Sequence, residues 1–295
     1  MRLWPALLLL AGCGGHPAVA VAPPQDSALT LATDSGRQSL EFGRLKQAVA
    51  EYKQAYTLAV ARDDVQAIGD FGYNLAVAQL ADDEASGALR TTLRTRDALA
   101  ARTASGFAEL DLVQSAALHR LGRDTDADRL AAHAQATAAS AATVARASYV
   151  RGLIADKRGD APGLSAALAG FGRPKVASAD WEADHDDLMA RLELLRGNYR
   201  KAASFAQRAA DIHRVQLNYR AMASTLALAA EATRRAGSPQ DAADLYLQAG
   251  DSAAARGDTA SAARWLALAV RLGISPATRR VVQDKLSTLQ KVSSR

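Results

Sequence analysis

From about Gln38 to the end of the chain, apolar residues return every three or four positions in runs of about 15 to 20 residues, each run closed by glycine or an acidic residue. That spacing puts the apolar positions on one face of an α-helix, and the punctuation ends each helix where the chain must reverse. The reversals fall at Gly43, Asp83, Gly122, Gly159, Gly197, Gly237 and Ser275, 37 to 40 residues apart. A period that steady predicts one all-α solenoid of helix hairpins, about six of them, over 38–295. Two globular domains would not repeat in this way. Register supports the same reading. Five residues after the turns stand Ala48, Ala88, Ala127, Leu164, Ala202 and Ala242, and twelve after stand Ala55, Thr95, Ala134, Phe171, Ala209 and Ala249. Seven before stand Ala76, Ser115, Gly152, Ala190 and Ala230. Small side chains at those places let the two helices of a hairpin approach closely. The last segment, from Ser275-Pro276 to Arg295, reads as a polar helix that caps the open apolar end.

Composition strengthens the helical reading, since nearly half the residues are apolar, Ala dominates, and only 5% are aromatic. The formal charge of +5 is scattered among acidic residues rather than gathered in a stripe, so no nucleic-acid partner is expected. The single cysteine, Cys13, excludes an intrachain disulfide and leaves stability to packing.

The amino terminus has a different grammar. Met1-Arg2, an apolar run from Leu3 to Leu10, and Ala11-Gly12-Cys13 make a charged start, a hydrophobic core and a small-residue end, as in an export signal. The run is shorter than the roughly 20 residues that cross a bilayer as a helix. Leu10-Ala11-Gly12-Cys13 resembles the lipobox of bacterial lipoproteins. That resemblance implies cleavage before Cys13, removal of 1–12 as a signal peptide, and acylation of Cys13, which would anchor the chain by lipid alone. Gly14, where retained lipoproteins carry Asp, implies the outer membrane, with the protein facing the periplasm. Residues 13–37, rich in Gly, Ala, Pro and Ser, are expected to form a lipidated, flexible tether.

The repeat resembles the tetratricopeptide repeat, most closely in Gly197-Asn198-Tyr199-Arg200-Lys201-Ala202 through Ala209, and next in Gly43 to Ala48 with Tyr52 and Ala55. It departs from that family in a period longer than about 34 residues, in the missing first-helix Trp, and in Phe171 within a repeat shortened at Pro162-Gly163. A HEAT-like or other α-solenoid is the alternative. The resemblance implies a right-handed α-α superhelix whose concave groove is lined by the first helix of each pair. By offset from the turns, the groove residues would be Tyr73, Glu109, His119, Arg120, Arg146, Tyr149, Lys157, Asp184, Asp187, Arg191, Glu231, Arg234, Arg235 and Trp265. The implied role is an outer-membrane scaffold or adaptor that holds other envelope proteins during assembly of pili, secretins, outer-membrane proteins or cell wall. A periplasmic lipoprotein that binds a ligand or glycan for a transporter or synthase is the alternative.

Little in the chain suggests chemistry. HExxH, GxSxG, paired CxxC and phosphate-binding glycine loops are all missing from the sequence, and neither catalytic residues nor cofactor nor small-molecule substrate is expected. Asp180-Trp181-Glu182-Ala183-Asp184-His185-Asp186-Asp187 is dense enough in ligands to imagine a metal or an enzymatic site around Asp184 and His185. The same residues read more simply as an acidic helix start that complements the macrodipole, and no metal is expected. His119, His133 and His213 each stand alone on a predicted helix and are expected to be solvated or lightly buried. Arg90, Arg94, Arg96 and Arg102 read as a solvated face, with anionic lipid or peptidoglycan as the other option.

Overall fold

A computed structural model describes residues 27–293 apart from 103, 105, 106 and 173–176, with side chains to 289. Cys13, the leader and most of the expected tether lie outside the described residues. Within them the chain forms fourteen α-helices: α1 Ser27–Glu41, α2 Leu45–Ala61, α3 Val65–Ala81, α4 Ala85–Ala100, α5 Ala108–Arg120, α6 Asp124–Thr137 and α7 Ala141–Lys157, then α8 Ala161–Gly170, α9 Ala179–Leu195, α10 Tyr199–Val215, α11 Tyr219–Arg235, α12 Pro239–Ala255, α13 Thr259–Leu272 and α14 Pro276–Ser293. Odd- and even-numbered helices pair into hairpins, and each hairpin packs on the next.

Among the described residues the array has seven hairpins, in line with the expectation of about six. Helix α1 begins inside the 13–37 segment assigned to a tether. Its apolar side is thin, but Ala32, Gly36 and Ser39 are buried, and Gly36 lets the chain lie directly on the ring of Tyr52 from α2. Packing against a neighbour, which sequence composition does not register, makes this segment helical.

The helix ends follow from local chemistry. Gly122 takes a left-handed conformation (φ 77°), its N–H donates to the His119 carbonyl, and Arg123 N–H reaches back to Leu118, closing the orphan carbonyls of α5. The next helix then starts, in several hairpins, on a side chain that accepts from its third residue: Asp64 from Ala67, Asp160 from Gly163, Asn218 from Ala221 and Asp258 from Ser261. At the last turn the left-handed residue is Gly273, and Ser275 instead accepts from Thr278 N–H at the start of α14. Leu217 holds the same left-handed conformation (φ 58°) without being glycine, between α10 and α11.

The alanines found by register are the hairpin interfaces. Ala48, Ala55, Ala76, Ala88, Ala127, Ala134, Ala190, Ala202, Ala209, Ala230, Ala242 and Ala249 have no exposed surface. Phe171, the large residue in an otherwise small position, is buried at the end of α8, edge-on to Trp181 at 5.9 Å. Helix α8 is the shortest of the fourteen, with Pro162 accommodated in its first turn.

First helices approach one another along the array, α3 with α5, α5 with α7, α7 with α9 and α9 with α11, whereas second helices are not paired in this way. Crowding on one side and splaying on the other curves the solenoid, with the first helices lining its inner surface.

Candidate functional site

The inner surface narrows to a polar centre on α7 and α9. Helix α9 carries Asp180, Asp184, Asp187 and Arg191 at spacings of three and four, which aligns them on one face. Helix α7 presents Arg146, Tyr149 and Asp156 toward them. Arg146 Nη2 lies 2.9 Å from Asp180 Oδ2 and its Nη1 2.9 Å from Asp184 Oδ2. The Tyr149 hydroxyl donates to Asp187 Oδ2 at 2.7 Å, and Arg191 Nε donates to the same oxygen at 3.0 Å while its Nη1 reaches Asp156 at 2.6 Å. Gln216, from the end of α10, donates to Asp180 Oδ1.

Enclosure governs the electrostatics. Asp184 is only 4% exposed, and burial pushes its carboxyl up to about 7; Arg146 opposes the shift, while Asp187 and Asp180 add to it. Burial, reinforced by Asp187 and Asp184, holds the Tyr149 phenol well above its ordinary value. Burial acts to lower Arg191 and Arg146, but neighbouring carboxylates outweigh it and both guanidiniums keep their charge firmly. His213 of α10 is 4% exposed. Burial pushes its imidazole down, against a weaker upward pull from Asp187 and the nearby Gln216, and neither ring nitrogen finds an acceptable hydrogen-bond partner among the described residues. Asp187 Oδ1 is likewise buried without a partner.

Other residues expected in the groove lie on α3, α5 and α7. Tyr73 of α3 is half-buried and feels both Arg146 and Glu109, and burial raises its phenol. Glu109 accepts from Thr143 at 3.2 Å. Arg120 donates to the Leu80 carbonyl and lies 3.7 Å from Asp83. Lys157 and His119 both pair with Asp124 at the start of α6, at 2.7 and 2.8 Å. Across the array, Arg220 in the first turn of α11 forms an ion pair with Asp83 in the α3–α4 turn.

Two groups of expected groove residues lie elsewhere. Trp265 is 6% exposed and belongs to the core built by Met222, Leu226, Tyr246, Leu266, Ile274 and Val282. Near the carboxyl end of the array a large ring is needed to fill space between α11, α12 and the capping helix, so it points inward. Glu231 binds Arg234 and Arg235 on its own helix, at 2.8 and 2.7 Å, and the Tyr246 hydroxyl of α12 at 3.2 Å. Arg234 first, then Arg235, hold its carboxyl down to about 2 against burial. Arg235 also lies 5.9 Å over the Tyr199 ring, so this cluster faces α10 and α12 rather than the polar centre.

Position along the helix brought Tyr73, Glu109, Arg146, Tyr149, Asp184, Asp187 and Arg191 to the inner surface. It missed His213, expected to be solvated or lightly buried, because a second helix contributes to the groove floor at its last turn; it also missed Asp156, Asp180 and Arg220. His133, another expected lone histidine, bonds Asp111 at 2.6 Å, and the same carboxylate pairs with Arg96 from the supposed solvated stripe. The acidic run of α9 divides between two faces. Asp180, Asp184 and Asp187 face inward, while Trp181, stacked on His185 at 4.8 Å, lines with Met189, Phe205 and Ile212 a slot of about 580 Å³ between α9 and α10. Among the described residues no cluster of His, Cys, Asp and Glu is arranged to hold a metal, and no helix is long and apolar enough to cross a membrane.

Neither the family models nor the curated proteins contain a match to this chain. Among solved structures the chain is similar to a tetratricopeptide repeat protein from Parabacteroides merdae, at 16% identity over 89% of this chain and 99% of that one, with a TM-score of 0.48. It is similar also to the C-terminal part of a TPR repeat-containing protein from Cytophaga hutchinsonii, at 14% identity over 88% and 99% of the two chains, with a TM-score of 0.43. A third likeness, at 14% identity over 84% and 99% with a TM-score of 0.34, is to the TPR2AB-domain:pHSP90 complex of yeast Sti1. These likenesses are loose. The all-α, TPR-like solenoid stands on the helix pairing and curvature described above.

Proposed function

We propose that the protein is a scaffold or adaptor which grips a partner protein in the groove formed by its first helices, tethered to the outer membrane by lipid on Cys13 and acting in envelope assembly. The observation that carries the groove reading is the convergence of charged and aromatic side chains from α3, α5, α7 and α9 on one enclosed inner surface, centred on Arg146. Most of the array is alanine at its interfaces, so this concentration of polar groups is not what stacking requires. Charged and aromatic anchors in a concave, partly desolvated surface are what an extended or helical segment of another protein needs. We assign the protein no catalytic role. The location rests on the leader sequence and its Leu10-to-Cys13 lipobox resemblance.

Site-specific photocrosslinking tests the groove. A photoreactive phenylalanine in place of Tyr73 is expected to give one dominant covalent adduct with an envelope protein, and the same group in place of Gln240, exposed on α12, is not. Absence of an adduct at Tyr73, or the same adducts from both positions, overturns the groove assignment. Membrane fractionation tests the anchor: Cys13→Ala is expected to release the protein from the outer-membrane fraction, and retention there counts against a lipid tether.

A further inference from the structure

We propose that the groove floor between α7, α9 and α10 is a seat for a basic side chain, the ammonium or guanidinium of a Lys or Arg presented by the partner. The proposal rests on the groove reading and names the chemistry the groove selects.

Three observations converge. The first is charge balance. Among the described residues Asp156, Asp180, Asp184 and Asp187 form their ion pairs with two cations, Arg146 and Arg191, and Arg191 is committed to Asp156 and Asp187 at the deep end. Asp180 and Asp184 therefore share a single guanidinium. Burial chiefly, and then Asp187 and Asp180, raise the Asp184 carboxyl although Arg146 pulls it down, so the single guanidinium does not offset the enclosure of these acids.

The second is an unfilled set of acceptors. Among the described residues Asp187 Oδ1 is buried without a donor, and neither buried nitrogen of His213 makes a well-formed hydrogen bond, Gln216 being the side chain within reach of it. Burial disfavours the charged imidazole of His213, and the neutral ring has one acceptor nitrogen. A carboxylate oxygen and an imidazole nitrogen left empty beside an anionic cluster call for a group that brings several N–H donors and positive charge. An ammonium brings three donors and a guanidinium five.

The third is the position of Arg146. Its side chain is 45% exposed and that of Asp180 is 58% exposed, whereas Asp184 beneath is 5% exposed. Arg146 thus closes the mouth of the seat with a reversible, partly solvated ion pair of the kind that competes poorly with a preorganised ligand. Tyr73, which feels both Arg146 and Glu109, lies within electrostatic reach of it. In the free protein Arg146 is the stand-in for the partner's cation.

The test reads peptide binding to the full chain by fluorescence anisotropy at about 0.15 M salt, with fluorescein-labelled hexalysine as the basic probe and hexaglutamate as its opposite. Hexalysine is expected to bind saturably and hexaglutamate not to bind. Asp180→Asn, at an exposed position where folding is not at risk, is expected to weaken hexalysine by about 10-fold, as a charge pair worth 1.4 kcal/mol would, and Asp184→Asn by at least as much. Arg146→Ala is expected to strengthen it several-fold by vacating the seat, a sign that a purely structural Arg146 would not give. Substituting Asp241 and Asp244, exposed on α12, with Asn is expected to leave affinity unchanged. Binding that is indifferent to Asp180→Asn, is equally sensitive to the α12 substitutions, or is weakened by Arg146→Ala overturns the proposal, as does preferential capture of hexaglutamate. If hexalysine fails to bind while the Tyr73 crosslink persists, the basic-group seat alone is wrong; if both fail, the groove reading falls with it.

Discussion

At the scale of single residues, the groove is defined by side chains whose ordinary chemistry is altered by enclosure. Asp184 ionises near 7 in the folded chain and near 4 when unfolded, so the folded state retains a proton that the unfolded state releases across that interval. Its contribution to stability is fully present below the unfolded value and is lost as pH rises through about 7. Asp184→Asn removes the titration. Its melting temperature is expected to exceed that of the parent at pH 8, with the advantage shrinking as pH falls and gone below about pH 4; the part lost between pH 8 and pH 5 should be on the order of 2 kcal/mol, or roughly 5 °C for a chain of this size. Parallel pH dependence in thermal melts of the two proteins would show that Asp184 is not the buried, undercompensated acid described here. The same comparison explains what the sequence could and could not disclose. Asp184 and Asp187 share a helical face by spacing alone, and that much is legible. That His213 closes the floor beneath them is not, because nothing in α10 says which neighbour covers its last turn. Trp265 failed in the opposite sense, since offset from a turn says which helix a residue occupies but not whether a capping helix has enclosed that face.

At the scale of helices, the array was readable because its interfaces are made of small side chains in a repeating register. Gly152 shows how tight that register is: a Cβ placed there would come within 2.5 Å of Leu188 Cδ1, and Leu188 is itself fully buried between α7 and α9. Gly152→Ala is therefore expected to destabilise the fold by about 1 to 3 kcal/mol, despite the gain in helix propensity, because the added methyl overpacks an interface with no slack. Chemical denaturation measures it, and a neutral or stabilising effect would mean that α7 and α9 are not held at this distance. Because the same two helices carry Arg146 and Asp184, loosening them should also weaken the groove. What the register could not supply was the beginning of the array. Helix α1 has the composition of a linker and becomes helical because α2 offers it Tyr52 and Ala48 to lie against. Helix α8 shows the converse, since Pro162-Gly163 announces a shortened helix in the sequence and the structure has one.

For the molecule as a whole, the curvature of the solenoid brings together residues that no local reading would associate. Arg220 opens α11 and Asp83 sits in the turn after α3, four hairpins earlier, yet the two form an ion pair across the inner side of the array. Asp83 is half exposed and also lies 3.7 Å from Arg120, so the bridge is solvated and belongs to the class of surface pairs worth at most about 1 kcal/mol. A contribution that small hardly matters to unfolding of the chain. It matters to shape, because a stack in which each hairpin touches mainly its neighbours has little other resistance to uncoiling, and a small energy applied across four hairpins is enough to bias the curvature. Arg220→Ala should therefore leave the melting temperature within about 2 °C of the parent while increasing the maximum dimension seen by small-angle X-ray scattering. Raising the salt to about 1 M should bring the parent toward the variant, because the Debye length then falls to roughly 3 Å and the bridge is screened. A scattering profile unaffected by either the substitution or the salt would mean that alanine packing alone sets the curve, and that the width of the groove is fixed before any partner arrives.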